Sequence, residues 1–352
     1  MLSEQIKKRY GAFWDNDAYE RCVLYITQRI RKNTIMAEVI SPEKWTDIGL
    51  RTRAAVESYT NVQYYAEGFP SIFTNYGPGC MAACIGGNYV LAESTVWFDT
   101  DPIIKDWASM PDIKLFEDSN MWKMTKTYTE KLCEASNGKY MTSISDIGGS
   151  LDILSSLRGA QTLLYDLYDY ADEVKALHNK VEIIWKDVYN RLYSITSRYQ
   201  EGMTSWMPIW CKDRYYPLQC DFCAMISPDM FCEFVRPHLV AQTEFLDHAI
   251  YHLDGPGEVP HLDHILSIPR LNAIQWTAGT GKETLDNECY YDMYNRILKA
   301  GKGLVLFGVP FSSLEKLMNS LVSTKGLFIS MNVADNKEAN EAIRIAECAG
   351  VK

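Results

Sequence analysis

A histidine and an aspartate two residues apart form the most informative short pattern in the sequence. His252 and Asp254 lie in residues 251–257 (YHLDGPG), where an apolar run ends in a glycine–proline turn. On a β-strand, alternate side chains point to the same face, so this imidazole and carboxylate would project together. Such a pair can bind a divalent metal ion, transfer protons, or simply hydrogen-bond to each other in a structural turn. The spacing alone leaves these three interpretations open.

Two further aspartates are candidate catalytic residues. Asp146 ends an apolar, β-branched segment, and Asp221 has apolar and aromatic neighbours in residues 218–222. A carboxyl group buried among such neighbours has a raised pKa and can act as an acid. The structural alternatives are a helix cap for Asp146 and a loop hydrogen bond for Asp221.

Six more residues near predicted strand ends are candidates for binding a substrate. Tryptophans in such positions can form stacking walls for a flat or ring-shaped ligand, although aromatic residues in strands more often belong to the core. Trp276 is the strongest of the tryptophan candidates because it ends a strand. The set is Asn75, Trp206, Trp210, Gln219, Gln275 and Trp276.

These candidates depend on a predicted alternation of short apolar strands with longer segments that show helical spacing. Residues 301–307 (GKGLVLF) are typical, with a glycine break before a run that suits a strand buried on both faces. Eight such strands favour an α/β fold, a (β/α)8 barrel, over a doubly wound open sheet, which usually has a glycine-rich turn after its first strand. Barrel active sites form at the C-terminal ends of the strands. The predicted strands are residues 23–26, 72–75, 140–146, 203–207, 249–253, 272–276, 303–307 and 326–329.

Composition narrows the class of protein. The chain has 352 residues, a length that suits one barrel domain over residues 1–352. Its net charge of −10 argues against a surface that binds nucleic acid. An N-terminal helical appendage over residues 1–20 is predicted. The absence of a long apolar run or secretory signal predicts a cytoplasmic protein that does not span a membrane, with reduced cysteines. A homodimer would have to use helices or the appendage, because a closed barrel has no free strand edge.

Three longer segments resemble a known family. Residues 151–169 match the pattern LD.L..LRG...L..DLYD, residues 226–237 match ISP.MF..FV.P, and residues 251–255 stand where the family has H.CG. With residues 77–79 (GPG), their order and spacing resemble the uroporphyrinogen decarboxylase superfamily of (β/α)8 barrels over most of the chain. The resemblance implies either decarboxylation of tetrapyrrole acetates or zinc-dependent methyl transfer between a corrinoid protein and a thiol or folate acceptor.

The sequence departs from both branches of that superfamily. Arg51 and Arg53 do not reproduce the N-terminal arginine signature with which the decarboxylases grip substrate carboxylates. In the zinc-dependent methyltransferases a histidine and two cysteines hold the metal. Here His252 matches the histidine, Asp254 replaces the first cysteine, and Ser-Met-Asn at residues 330–332 stands near the place of the second.

The resemblance therefore favours a methyltransferase-like enzyme with a small-molecule substrate, in which His252 and Asp254 hold zinc or another divalent ion. Asp221 or Cys220 would supply a third ligand, and a corrinoid on a partner protein would carry the methyl group. The alternatives are a metal-free decarboxylase, which a basic pocket would favour, and a non-catalytic barrel that binds a ligand or docks a corrinoid. A carbohydrate hydrolase is more distant, since it needs two carboxyl groups about 5–10 Å apart across a cleft.

Overall fold

A mainly parallel β-sheet forms the centre of the molecule. The computed structural model describes residues 2–35, 42–98 and 101–352. Short apolar runs form the buried strands, as residues 303–307 illustrate. The strands are β1 (Val23–Arg29), β2 (Val62–Ala66), β3 (Ser71–Ile72), β4 (Val90–Leu91), β5 (Val96–Trp97), β6 (Met141–Thr142), β7 (Tyr215–Leu218), β8 (His248–Asp254), β9 (Ala273–Thr277), β10 (Gly303–Phe307) and β11 (Leu327–Asn332).

Amphipathic helices cover this sheet. The apolar residues of the longest one recur at steps of three and four, and those from Val174 to Leu192 are largely buried. Ser227 caps a helix start as the sequence predicts, accepting a hydrogen bond from Met230 N at 3.3 Å. The helices are α1 (Glu4–Trp14), α2 (Ile48–Thr60), α3 (Cys80–Cys84), α4 (Asn120–Ser136), α5 (Ser150–Arg158), α6 (Ala160–Asp169), α7 (Ala171–Thr196), α8 (Pro228–Met230), α9 (Arg236–Phe245), α10 (Leu262–Leu266), α11 (Tyr291–Lys299), α12 (Leu314–Ser320) and α13 (Asn336–Ala349).

The sheet is barrel-like, but the described residues show no closed barrel. Their main sheet has the order β2-β1-β11-β10-β9-β8-β7, in which only β2 is antiparallel to its neighbour. The parallel pair β3–β6 stands apart from it. Side-chain hydrogen bonds replace strand ladders at the two gaps: Tyr25 donates to Phe69 O at 2.7 Å, and the Tyr216 hydroxyl accepts from Ile147 N at 2.7 Å. The α/β prediction is thus confirmed, whereas closure into a (β/α)8 barrel is not shown.

The strand predicted at residues 203–207 is wrong. Met203 forms only an isolated bridge to Cys211. The strand that pairs with β8 in parallel is β7, which comes later in the chain. The Ser205 hydroxyl accepts from Met207 N at 3.1 Å, and Tyr215 donates to Met207 O at 2.6 Å. These local side-chain bonds satisfy backbone groups that a strand would have paired with its neighbours.

The predicted N-terminal helix is confirmed as α1, but it is more than an appendage. Its residues Tyr10, Phe13 and Trp14 are buried in the main core, where Tyr10 and Phe13 contact Phe328 of β11. The helix therefore covers the N-terminal ends of the parallel strands.

Two further properties bear on the class of protein. In the described part of the chain, no helix combines the length and the hydropathy needed to cross a membrane. All ten cysteines are free thiols, and seven of them are buried.

Candidate metal and substrate site

Three acidic or imidazole side chains meet where strands β7 and β8 end. Asp221 begins the short helical turn Asp221–Met225 after β7, whereas His252 and Asp254 lie on β8. One ligand atom from each of the three residues lies within 4.8 Å of the other two, a grouping that can hold a metal ion. The parallel pairing of β7 with β8 creates this meeting, because the carboxyl ends of parallel strands share one edge of a sheet.

A neighbouring glutamine fixes the orientation of the His252 ring. Gln275 lies opposite His252 in the β8–β9 register. Its Nε2 donates to Trp276 O at 2.6 Å and to Thr277 Oγ1 at 3.0 Å, so its Oε1 faces His252 Nδ1. Since that oxygen can only accept, Nδ1 carries the proton and Nε2 keeps its lone pair for a ligand. Metal-binding histidines usually have such a partner behind them.

Trp206 packs against the other side of this imidazole. The two rings meet edge to face, with centroids 5.1 Å apart and planes at 87°. The Trp206 Nε1–H is buried and has no hydrogen-bond partner in the described residues. An unpaired buried donor costs free energy, so its presence beside His252 suits a position that a ligand would complete. The sequence placed Trp206 on a strand; it reaches the site from a loop instead.

Asp146 lies buried near the same group. Its Oδ1 accepts from Gly148 N at 2.8 Å and from the Tyr216 hydroxyl at 2.9 Å. Burial raises the pKa of Asp146, while these hydrogen bonds and the nearby His252 oppose the rise. The pKa of Asp221 is raised in the same direction, first by desolvation and then by the charges of Asp254 and Asp146, with His252 opposing. Although Asp221 is exposed as a residue, its carboxyl group therefore lies among groups that favour the protonated form.

A cavity of about 470 Å³ opens beside Asp221. Gln219 lines it from the end of β7, and the turn before α3 and the β4–β5 hairpin form the opposite wall. Its size falls in the range of small-molecule sites. No lysine or arginine is among its described lining residues, whereas Asp152 and Asp221 both are. Other lining residues include Pro78, Trp97, Phe98, Ser155, Phe222 and Met225.

Asp152 is a site residue that sequence reasoning missed. Its carboxylate accepts from Asp221 N at 3.0 Å and from Phe222 N at 2.7 Å, and so holds the turn that carries Asp221. Burial and the charge of Asp221 raise the pKa of Asp152 to about 8. Gly149 allows the segment around Gln219 to lie this close to α5, because a Cβ at residue 149 would lie 1.9 Å from Gln219 O. In the sequence, Asp152 lies in the segment 151–169, where its position on a helical pattern gives no sign of a role at the strand ends.

Glu258 is a second acid that was missed. It follows the turn after β8, is fully buried, and accepts from the Tyr251 hydroxyl at 3.1 Å, while its Oε1 has no partner in the described residues. Burial raises its pKa to about 11. In the sequence, a glutamate after Gly-Pro-Gly has the pattern of a solvated loop residue, so no signal marked it.

The structure separates three predicted substrate-binding residues from this group. The Asn75 side chain accepts from Gly77 N at 2.7 Å and caps an exposed turn. Trp276 lies on the face of β9 opposite to Gln275, because neighbouring strand residues alternate, and packs against Tyr290. Trp210 lies near the N-terminal helix, where its backbone carbonyl accepts from Trp14 Nε1 at 2.9 Å. Cys220, the alternative third metal ligand, is buried outside the three-residue group.

Comparison with known proteins supports the fold. No family model matches the sequence, and a search of curated proteins found no match. A solved structure of a methyltransferase from Methanosarcina mazei is similar to this chain with a TM-score of 0.63 and 11% sequence identity. The similarity covers 97% of this chain and 98% of that one. The chain therefore shares its overall fold with that protein.

Proposed function

We propose that this chain is a methyltransferase-like enzyme of the uroporphyrinogen decarboxylase superfamily, with a divalent metal ion at Asp221, His252 and Asp254. The observation that carries the proposal is the convergence of these three side chains at the C-terminal strand ends. The residues suit such an ion, because two carboxylates and one imidazole are an ordinary oxygen and nitrogen ligand set for zinc. Asp221, rather than Cys220, completes the set.

The protein residues would prepare the site in defined ways. Gln275 holds His252 with Nε2 available, and Asp152 holds the turn that positions Asp221. Because the pKa of Asp221 is raised, a metal ion competes with a proton for this carboxylate, and metal affinity should rise with pH. A bound divalent ion would lower the pKa of a coordinated thiol and so supply a nucleophile for methyl transfer.

The cavity beside Asp221 is the proposed position of the small-molecule substrate. Gln219 and Phe222 are among the residues that line this cavity, one polar and one apolar. Trp97 and Met225 line the same cavity and are 60% and 52% exposed, which leaves apolar surface at its mouth. A corrinoid-carrying protein that docks there would bring its methyl group toward Asp221. This partner is part of the proposal.

The alternatives receive less support from the site. A decarboxylase that grips substrate carboxylates needs cationic groups, and the described lining of this cavity has no lysine or arginine. A purely ligand-binding barrel would need no strongly shifted carboxyl pKa, whereas the pKa values of Asp152 and Glu258 are raised to about 8 and about 11.

The decisive experiment is elemental analysis of protein purified without chelators. We expect close to one divalent ion per chain in the wild type, and its loss in His252→Ala, Asp254→Ala and Asp221→Asn. His264→Ala and Asp229→Asn are matched controls, because both residues lie outside the three-residue group and should leave the metal content unchanged. A wild type that binds no divalent ion, even when ions are added, would contradict the proposal.

A second experiment tests the chemistry. The metal-loaded protein is mixed with methylcobalamin and a small thiol, and the absorbance change that accompanies demethylation of the corrinoid is followed. We expect turnover in the wild type and its loss in His252→Ala. Metal binding without turnover for any thiol or folate acceptor would retain the metal site but reject methyl transfer.

A further inference from the structure

A second cavity lies at the opposite, N-terminal ends of the strands. It has a volume of about 490 Å³ and is formed by α1, the loop before β3, the start of β6 and the residues after α7. Trp210, which the sequence placed in the substrate site, is one of its walls. Met141 at the start of β6 lines this cavity, whereas Asp146, five residues later, belongs to the candidate metal site. The two cavities therefore lie at different ends of the same layer of strands.

The walls of this second cavity present apolar surface. Phe69, Tyr140 and Trp210 are all nearly fully buried. The polar tips of the last two already have protein partners: Tyr140 donates to Leu132 O at 2.7 Å and Trp210 Nε1 donates to Glu201 O at 3.1 Å. Because the Tyr140 hydroxyl and Trp210 Nε1 are already hydrogen-bonded, the rings can make only apolar contacts with a bound ligand. Its chemistry must therefore include an apolar or aromatic body.

The rim of the cavity is cationic. Lys7 is paired with Glu4 at 3.0 Å and with Glu201 at 2.7 Å. Lys139 and Arg198 also line the cavity, and neither has an ion pair with a carboxylate in the described part of the chain. With Lys7 neutralised by Glu4 and Glu201, the positive charge at the rim is that of Lys139 and Arg198, although the whole chain has a net charge of −10. This local excess selects an anion over a cation.

We propose that this cavity is a second binding site, for a small amphipathic carboxylate whose tail packs on Phe69, Tyr140 and Trp210 and whose head group pairs with Lys139 and Arg198. The volume suits a ligand of drug-like size. Flexible exposed cations at the rim and preformed aromatic walls inside place the charged end in water and the tail in the cavity. The site is independent of the metal site, so neither proposal requires the other.

Equilibrium dialysis with labelled octanoate tests the site, with octylammonium as a competitor of equal length and opposite charge. We expect about one octanoate per chain, no displacement by octylammonium, and affinity about tenfold weaker in the double variant Lys139→Ala, Arg198→Ala. The matched control is Lys299→Ala, Lys337→Ala, which removes two exposed cations elsewhere and should bind octanoate as the wild type does.

A third variant tests the cavity itself rather than its rim. Ser197 is exposed and lines the cavity, so Ser197→Trp can fill it without disturbing the core. We expect this variant to retain the wild-type circular dichroism spectrum and to lose octanoate binding. Three results would each overturn the proposal: no octanoate bound by the wild type, displacement by octylammonium as effective as by unlabelled octanoate, or unchanged binding in either cavity variant.

Discussion

Each end of the parallel strands has a buried glutamate, but the two glutamates differ in their hydrogen-bond and ion-pair partners. Glu67, near the N-terminal ends, is fully buried and accepts from Arg9 at 2.8 Å, from Arg21 at 2.6 and 2.9 Å, and from Leu24 N at 3.0 Å. Glu258, at the C-terminal ends, is also fully buried but has only the Tyr251 hydroxyl as a hydrogen-bond partner in the described residues. One carboxylate is fully compensated by cations and donors, and the other is not.

This difference contrasts a carboxylate that stabilises the fold with acids that lie beside the proposed metal site. A carboxylate that two guanidinium groups and a backbone N–H satisfy holds the chain together around α1 and β1. At the other end, burial instead raises the pKa values of Asp146, Asp152 and Glu258. In barrel-like folds the C-terminal ends usually carry the chemistry and the N-terminal ends the stability, and the proposed metal site lies at the C-terminal ends of the strands in this chain.

Breaking the compensated end should have the largest effect on stability. Glu67→Ala leaves Arg21 buried without a carboxylate and Arg9 with Glu20 alone, and breaking a buried ion pair in this way typically destabilises a protein by about 3–5 kcal/mol. Urea unfolding at neutral pH measures the loss. Metal content per folded chain should not change, because Glu67 lies at the other end of the strands. A loss below about 1 kcal/mol would mean that the two ends do not differ as described.

Replacing the buried glutamate at the C-terminal ends, by Glu258→Gln, should instead stabilise the protein. The pKa of Glu258 rises from 4.5 to about 11 on folding, so the folded state binds the proton that the unfolded state releases above about pH 4.5. Stability is therefore full below that pH and falls as pH rises toward about 11. Glu258→Gln mimics the protonated acid and removes this loss.

Urea unfolding as a function of pH tests this expectation. The unfolding free energies of wild type and Glu258→Gln should agree near pH 4 and differ by about 3 kcal/mol at about pH 7, with the variant the more stable. Equal pH dependence in the two proteins would show that Glu258 ionises normally in the folded state.

How far the sequence predicts this molecule depends on the range of the interactions involved. Local patterns located α1 and the strands that became β8 to β11, because apolar runs and helical spacing report on neighbouring residues. The same patterns misplaced residues 203–207, where hydroxyl groups of Ser205 and Tyr215 satisfy the backbone. Such hydrogen bonds from side chains to the backbone leave no periodic signal in the sequence.

The predictions of site residues also depend on whether the interactions involved are local or distant along the chain. His252 and Asp254 share one strand, so their spacing alone brought them together, and Asp221 joined them because β7 ends beside β8. The prediction for Trp276 was based on its position at a strand end, whereas the face on which it lies, opposite to Gln275, could not be read from the spacing. Asp152 and Glu258 were missed because burial of an acid depends on packing between distant segments, which residue type and spacing do not encode.

The hydrogen bond between Gln275 and His252 tests whether the C-terminal ends hold a metal ion, as the difference between the two ends suggests. Gln275→Leu keeps much of the volume but removes the acceptor for Nδ1, so the ring loses its fixed orientation and tautomer. Loss of such a partner typically weakens metal binding by about 10–100-fold. Competition with a chelating dye measures the affinity, and Gln161→Leu, an exposed position on α6, is the matched control. Equal affinity in the two variants would remove Gln275 from the site.

Two tryptophans provide the smallest and most selective test. Trp206 Nε1 at the C-terminal ends has no partner in the described residues, whereas Trp210 Nε1 at the N-terminal ends donates to Glu201 O. Replacement by phenylalanine removes the same atoms in both, so the difference between the variants reflects the two N–H groups. Trp210→Phe should be more destabilising than Trp206→Phe by about 1–2 kcal/mol, because only it discards a hydrogen bond that was made. Thermal unfolding of the two variants side by side measures this difference. Equal losses would mean that Trp206 Nε1 has a partner in solution, and that the C-terminal end is better compensated than its contacts indicate.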